Sequence, residues 1–267
     1  MNIIGIDSGS STIKIIEVNE QKEILHKLIL NKVPTMQALE IFINKEKIDI
    51  KNIQKIVLTG VGKDEIKEDI YNVPTIKVDE FISIGMGGLN LSNQKKGLVV
   101  SIGTGTAFVE ARGKKFKHIG GTGIGGGTLL NLCKQIADCD SINKINETIK
   151  NGNLNNIDLR IQDITTKEIK TLPPDITSAN FGKLSENATK EDLCMGIVNM
   201  IFETIGVMAV FGAQRTRLKN IIVVGNVATM PYIKIVLKKI EKLHNVKFII
   251  PKQAQFATVI GAIETIN

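Results

Sequence analysis

Gly120-Gly121-Thr122-Gly123-Ile124-Gly125-Gly126-Gly127-Thr128 places six glycines in nine residues, and the apolar Leu129-Leu130-Asn131-Leu132 follows directly. Such a stretch carries few side chains, so its backbone N–H groups can close around a small group. Glycine also admits the positive φ angles that turn successive amides the same way. A strand-like run at residues 115–119 precedes the loop, and a helical pattern begins at Thr128. The last amides then sit at a helix N-terminus, where free N–H groups and the helix dipole favour phosphate. A flexible linker is padded with Ser or Pro, and neither occurs in this stretch. The loop reads as a phosphate cradle.

Upstream, residues 96–102 form an apolar strand pattern that runs into Gly103-Thr104-Gly105-Thr106, and residues 107–111 continue as its hairpin partner. The chain opens with the same layout. An apolar strand ends in Asp7, Ser8-Gly9-Ser10-Ser11 make a tight turn, and residues 12–18 alternate as a second strand containing Thr12, Ile13 and Lys14. A third strand is expected at residues 23–30. Turns of Gly, Ser and Thr offer amides and hydroxyls to an anion. Asp7 at a strand end can hold a divalent metal, directly or through water, and Lys14 can reach a phosphate. One such hairpin is equally a plain turn with a capping Asp. Two copies facing each other can grip a triphosphate between two lobes.

Helical spacing covers residues 35–45. A strand at 55–59 ends in Gly60-Val61-Gly62, residues 63–70 read as a short charged helix, and 74–78 as a short strand. Asp79-Glu80-Phe81 opens a further helix, where acids ordinarily serve as caps and dipole partners. Beyond the glycine loop, helices are expected to residue 138 and at 141–150. An irregular connection follows at 151–172, and a capping-rich loop at 172–182. A long helix covers 192–214. Residues 220–225 form a buried strand with Gly225 at its carboxyl end, a ligand position in open α/β sheets. Helix 230–244, strand 246–250 and helix 256–266 close the chain. The alternation defines an α/β protein with an N-terminal lobe at 1–95 and a C-terminal lobe at 96–267, the final helix returning to the first lobe.

The 267 residues suffice for two lobes and a large core. Hydrophobic residues make up 43% and charged ones 23%, the balance of an ordinary globular protein. The net charge of +7 comes mostly from scattered lysines. No basic stripe is interleaved with aromatics, so nucleic acid is not an expected partner. Cys133, Cys139 and Cys194 form no CxxC pair, and an odd count argues against a disulfide framework. Reduced thiols suit a cytoplasmic location. No signal-peptide pattern opens the chain, and no apolar run is expected to reach the length of a membrane span.

Two glycine hairpins, a glycine loop before a helix and a late strand-Gly resemble the actin, sugar-kinase and chaperone-ATPase superfamily. Within it, four segments look like the type II pantothenate kinases. These are Gly5-Ile6-Asp7-Ser8-Gly9-Ser10-Ser11-Thr12-Ile13-Lys14, Ile102-Gly103-Thr104-Gly105-Thr106, residues 120–128, and Asp175-Ile176-Thr177-Ser178-Ala179-Asn180-Phe181-Gly182. Val224-Gly225-Asn226 and residues 256–262 fit as well.

The resemblance implies a two-lobe, ribonuclease H-like ATPase fold with an interlobe nucleotide cleft. It further implies a homodimer using ATP and Mg²⁺ to phosphorylate pantothenate, the first step of coenzyme A biosynthesis. It maps ATP contacts onto Asp7, Ser8, Gly9, Ser10, Ser11, Thr12, Ile13 and Lys14. Thr104, Gly126, Gly127, Thr128, Leu129, Leu130, Ile142 and Asn226 complete that set. The family's catalytic carboxylate follows an Asn-x-Pro turn at a helix start. Asn72-Val73-Pro74 makes Glu80 its match.

Thr104, Ala107 and His118 fall at acceptor positions. His118 stands where the family pattern has Arg, and Ala107 where it often has a small hydroxyl residue. Imidazole cannot make the forked contact of a guanidinium with a carboxylate. A related acceptor such as pantetheine, or an ATPase resembling the activators of 2-hydroxyacyl-CoA dehydratases, are the alternatives at this point.

Overall fold

Two five-stranded sheets of one strand order organise the chain, which a computed structural model describes over residues 1–167 and 173–266. The last five residues of the expected irregular connection, 168–172, lie outside the described residues, as does Asn267. In chain order the elements begin with β1 (Asn2–Ser8), β2 (Thr12–Val18), β3 (Ile24–Asn31), α1 (Thr35–Glu46), β4 (Ile53–Thr59), β5 (Thr75–Lys77) and α2 (Glu80–Ser92). There follow β6 (Lys96–Ile102), β7 (Thr106–Arg112), β8 (Lys115–Thr122), α3 (Gly126–Ala137), α4 (Ile142–Thr148), β9 (Leu159–Arg160), α5 (Ile161–Ile164) and β10 (Thr177–Ala179). The chain ends with α6 (Lys190–Thr216), β11 (Asn220–Val224), α7 (Pro231–Leu243), β12 (Lys247–Ile249) and α8 (Ala257–Thr265).

The first sheet runs β3-β2-β1-β4-β5 and the second β12-β11-β6-β7-β8. In each, three antiparallel strands lead and two parallel strands complete the sheet, so the second repeats the first. The strand-turn-strand repetition visible in the sequence is thus the front half of a whole-sheet duplication. Side chains alternate faces along each strand. Ile13 and Ile15 pack with Ala38, Leu39 and Phe42 of α1, while Ile16 and Val18 turn to the other face and meet Val259, Ala262 and Ile263 of α8. Both faces of the first sheet are therefore covered, as its apolar central strands require.

Helices α2 and α8 cross in intimate contact. A methyl group on Gly87 would run into the Ala257 carbonyl oxygen, and one on Gly261 into that of Ser83. α2 also packs on β6, β7 and β8, so it touches the second sheet along one side and α8 along another.

Several boundaries differ from the sequence expectation. Residues 63–70 do not form a helix. A 3-10 turn at Val61–Glu65 is followed by a bridge between Ile70 and Val73. Side chains claim the backbone there: Thr75 N–H donates to Asp69 Oδ1, and Ile70 N–H donates to Thr75 Oγ1. β8 extends through Thr122, and α3 starts at Gly126 instead of Thr128. The loop at 172–182 contains β10, paired antiparallel with β9.

The expectation that no apolar segment reaches a membrane-span length is also corrected. α6 has 27 residues and is long and apolar enough by composition, with 61% of its apolar window buried inside the protein. A capping box opens it, Thr189 Oγ1 accepting from Asp192 N–H and Asp192 Oδ2 from Thr189 N–H. Its buried face, including Ile197, Ile201, Ile205 and Ala209, belongs to the core of the second sheet.

Candidate active site

The first hairpin owes its geometry to register. Asp7 on β1 is directly opposite Lys14 on β2, both side chains on one face. Lys14 Nζ lies 3.2 Å from Asp7 Oδ2, and the two residues are 5% and 8% exposed. A buried pair of this kind gives little net stability, but an uncompensated member is costly, so the two hold each other in place. Gly9 N–H closes the turn on Thr12 C=O at 3.0 Å. Ser8 points inward, its hydroxyl 2.9 Å from Thr35 Oγ1 and 3.0 Å from Lys32 Nζ. Ile13 is fully buried in the core, so only its backbone faces the turn.

Ser10 and Ser11 point the other way. Each hydroxyl lies 2.8 Å from Thr104 Oγ1 on the second hairpin. Asn226 Nδ2 reaches Thr12 Oγ1 at 3.5 Å from the far end of β11. Gly225 has a φ of 104°, and a side chain there would strike the Ile102 backbone, so glycine alone lets β11 end beside the second hairpin.

The glycine loop docks in an unexpected manner. Gly126 N–H donates to Gly103 C=O at 2.8 Å and Gly127 N–H to Thr104 C=O at 2.9 Å. These amides, expected to face a phosphate, instead clamp the start of α3 onto the second hairpin. Thr128 turns back on the loop, its hydroxyl donating to Gly123 C=O at 2.9 Å. Leu129 is buried in the core and Leu130 packs against it.

At the head of α2 the structure separates the two acids. Asp79 is the cap, accepting from Phe81 N–H at 2.9 Å and Ile82 N–H at 3.0 Å. Glu80 is not needed for that role. Burial first, then the negative Asp7 and Asp79, push its carboxyl above the usual carboxylate range, against the pull of Lys63 and Lys14. The turn is tied to β4, where Thr59 Oγ1 donates to Ser83 Oγ at 3.1 Å and Ser83 Oγ to Asp79 C=O at 2.7 Å.

Phe81, the next residue, stacks on His118 of β8 with ring centroids 4.0 Å apart and planes at 12°. Ala107 on β7 pairs with Gly121, just beyond His118. Ile142 opens α4, half-buried against the core of the second sheet.

The structure also joins residues that sequence spacing did not connect. Glu203 on α6 accepts from Thr177 Oγ1 and Asn180 Nδ2, both at 2.9 Å, and Asp158 accepts from Phe181 N–H at 2.9 Å. The Asn180-Phe181-Gly182 segment is thereby pinned to α6. Its conspicuous composition was legible, its partners were not. Lys63 acts electrostatically on Glu80, a role that its place in a charged run does not reveal.

The three cysteines are buried, Cys194 Sγ 3.8 Å from Cys133 Sγ. Among the described residues no group of three or more His, Cys, Asp or Glu side chains could share a metal ion.

Duplicated sheets with hydroxyl hairpins meeting between them define the class: a two-lobe nucleotide-binding fold of the actin-like ATPase and sugar-kinase type. The structure is similar to an activator of 2-hydroxyisocaproyl-CoA dehydratase from Clostridium difficile with bound ADPNP, at a TM-score of 0.70 and 20% identity, covering 98% of this chain and 92% of that one. It is similar also to a ROK family glucokinase from Streptomyces griseus in complex with glucose and AMPPNP, at a TM-score of 0.66 and 12% identity, over 99% of each chain.

The chain belongs to the Fumble family, whose model matches residues 92–241. Among its relatives are type II pantothenate kinases of Staphylococcus aureus. That of strain bovine RF122 / ET3-1 is 27% identical over 232 residues, and that of strain USA300 is 26% identical over the same length, each match covering 84% of both chains.

Proposed function

We propose that this protein transfers the γ-phosphoryl group of ATP to the primary hydroxyl of pantothenate, the first step of coenzyme A biosynthesis. The observation that carries the reading is a raised carboxyl, Glu80, facing the Asp7–Lys14 pair beside two meeting hydroxyl hairpins. The family and its pantothenate kinase relatives supply the acceptor.

The triphosphate lies between the hairpins, where Ser10, Ser11, Thr12 and Thr104 exchange their mutual contacts for phosphate oxygens. Lys14 neutralises charge on the transferring group, and the clamp made by Gly126 and Gly127 keeps the second hairpin in position. Asn226 and Ile142 serve the nucleoside end, and a cavity of about 560 Å³ lined by Asn143, Asn146, Tyr232 and Ile235 lies between α4 and α7. Asp7 fits Mg²⁺: it is one buried carboxylate beside the phosphate seat, and a side chain at Gly60 would crowd its Oδ1 at 2.9 Å. Magnesium takes one or two carboxylates together with phosphates and water, and when bound it neutralises phosphate charge. Glu80 receives the acceptor's proton late in a loose transition state, where positioning and charge neutralisation do most of the catalysis.

The working form is a cytoplasmic homodimer. Its support is an incompletely covered stripe on α6 at Met200, Thr204, Val207 and Met208 that ends in Phe211, 60% exposed. Phe211→Glu is expected to yield monomers by light scattering, and an unchanged mass removes α6 from the interface.

The deciding experiment is ATP- and Mg²⁺-dependent phosphorylation of pantothenate, with pantetheine and glucose in parallel and product masses recorded. Phosphopantothenate is expected. Product from pantetheine or glucose alone would reassign the acceptor while leaving the nucleotide half intact.

A further inference from the structure

Glu80 sits in the first turn of α2, so what places that turn against the second hairpin sets its geometry. Its helix carries Gly85, Gly87 and Gly88, whose missing side chains let it lie close against Phe116, α8 and Val99. Each glycine also weakens a helix by about 1 kcal/mol relative to alanine. The Asp79 cap is internal to the turn, and the Thr59–Ser83 hydrogen bond ties it to the first sheet. Thr104, by contrast, is carried by the β6–β7 turn of the second sheet. A proton acceptor on α2 and a phosphate seat on that turn need a link between them.

β8 provides one. Phe116 fills the notch over Gly85, where a methyl group would overlap its ring, and His118 stacks on Phe81. Two residues along a strand advance about 6.8 Å and four along a helix about 6 Å, so the two contacts are in step. Val109 pairs with His118 and Thr106 with Thr122, so β7 joins the stack to the β6–β7 turn, the ladder shifting register once between Phe108 and Val109. A path from Thr104 to Glu80 runs through β7, β8, His118 and Phe81, beside the direct packing of α2 on β6 and β7.

We infer that His118 is a positioning residue for phosphoryl transfer: the face of its ring, stacked on Phe81, sets the place of Glu80 relative to the second hairpin. The inference rests on Glu80 acting as the base. It assigns His118 a role through its flat ring, distinct from a polar contact with the acceptor. A misplacement of about 1 Å in such a geometry can cost about 100-fold in rate.

The test compares His118→Ala, His118→Phe and Phe81→Leu with the wild type in steady-state phosphorylation of pantothenate, alongside ATP affinity by titration calorimetry. His118→Ala and Phe81→Leu are expected to lower kcat by about tenfold or more, with ATP affinity within about twofold of wild type. His118→Phe restores the stack without a ring nitrogen, and kcat should return to within about threefold of wild type. Recovery of kcat in His118→Phe separates a positioning role from an acceptor contact, which would appear in KM and resist rescue.

A His118→Phe enzyme as slow as His118→Ala overturns the inference, as does wild-type kcat in His118→Ala. Both leave the kinase reading standing so long as the wild type makes phosphopantothenate. Absence of that product from the wild type removes both.

Discussion

The hydroxyl of Ser10 lies 2.8 Å from that of Thr104, 94 positions away, so the two hairpins meet through side chains across the cleft. Ser11 makes the same contact. Three hydroxyls converge on one point without a charged partner among them, an arrangement suited to exchange for phosphate oxygens.

That exchange makes Thr104 measurable. Thr104→Val keeps the shape and removes the hydroxyl. A hydrogen bond to a charged group is worth about 1.5–3 kcal/mol, so ATP affinity should fall by about ten- to a hundredfold in calorimetric titration. Acceptor KM should move less.

Glu80 has opposite effects on stability and rate. Its carboxyl is raised above the usual range, chiefly by burial. The folded state therefore binds that proton more tightly than the unfolded state. Stability from this group is present at low pH and is lost as pH rises from the unfolded to the folded value. Activity needs the ionised base, so kcat/KM falls as pH drops through the same raised value. Glu80→Gln should lose about 10²–10⁴ in kcat and melt higher than wild type at neutral pH, while ATP still binds.

Lys14 is expected to serve both folding and catalysis. Lys14→Met leaves Asp7 buried without its partner, a loss of about 3–5 kcal/mol for pairs of this kind. Urea unfolding should show it, and phosphoryl transfer should be lost at temperatures where the variant remains folded.

The crossing of α2 and α8 allows no side chain at its centre. Gly261→Ala places a methyl group against the Ser83 carbonyl oxygen, a backbone atom that cannot step aside. Overpacking costs about 1–3 kcal/mol in general, and the upper end is expected in chemical denaturation. Ser83 is also tied to Thr59 and Asp79, so kcat should fall with stability.

Much of the site was legible because its signals are local. Period-two alternation places Asp7 and Lys14 on one face of a hairpin, and the Gly, Ser and Thr turns mark both hairpins before any packing is known. Asn72-Val73-Pro74 directs attention to Glu80 through resemblance. Three differences have physical reasons that lie beyond local spacing or at its edges. Composition marks glycines 126 and 127 for a phosphate seat, and the fold adds that their N–H groups donate to carbonyls some 23 positions earlier. Residues 63–70 carry helix-like spacing, but Asp69 and Thr75 hydrogen-bond the backbone first. Spacing gives a helix at 192–214, and the Thr189 cap and a last turn to Thr216 extend α6 to 27 residues.

By itself the sequence determined the α/β class, the two hairpins, the glycine loop and the identity of the charged groups, since each follows from side-chain period, turn chemistry and residue type within a few positions. Only the tertiary structure decided which of two adjacent acids caps α2, which amides remain for a ligand, and that His118 meets Phe81. Those outcomes depend on how two sheets and a glycine-lined helix pair settle against each other, and packing of that kind sums contacts across the whole chain.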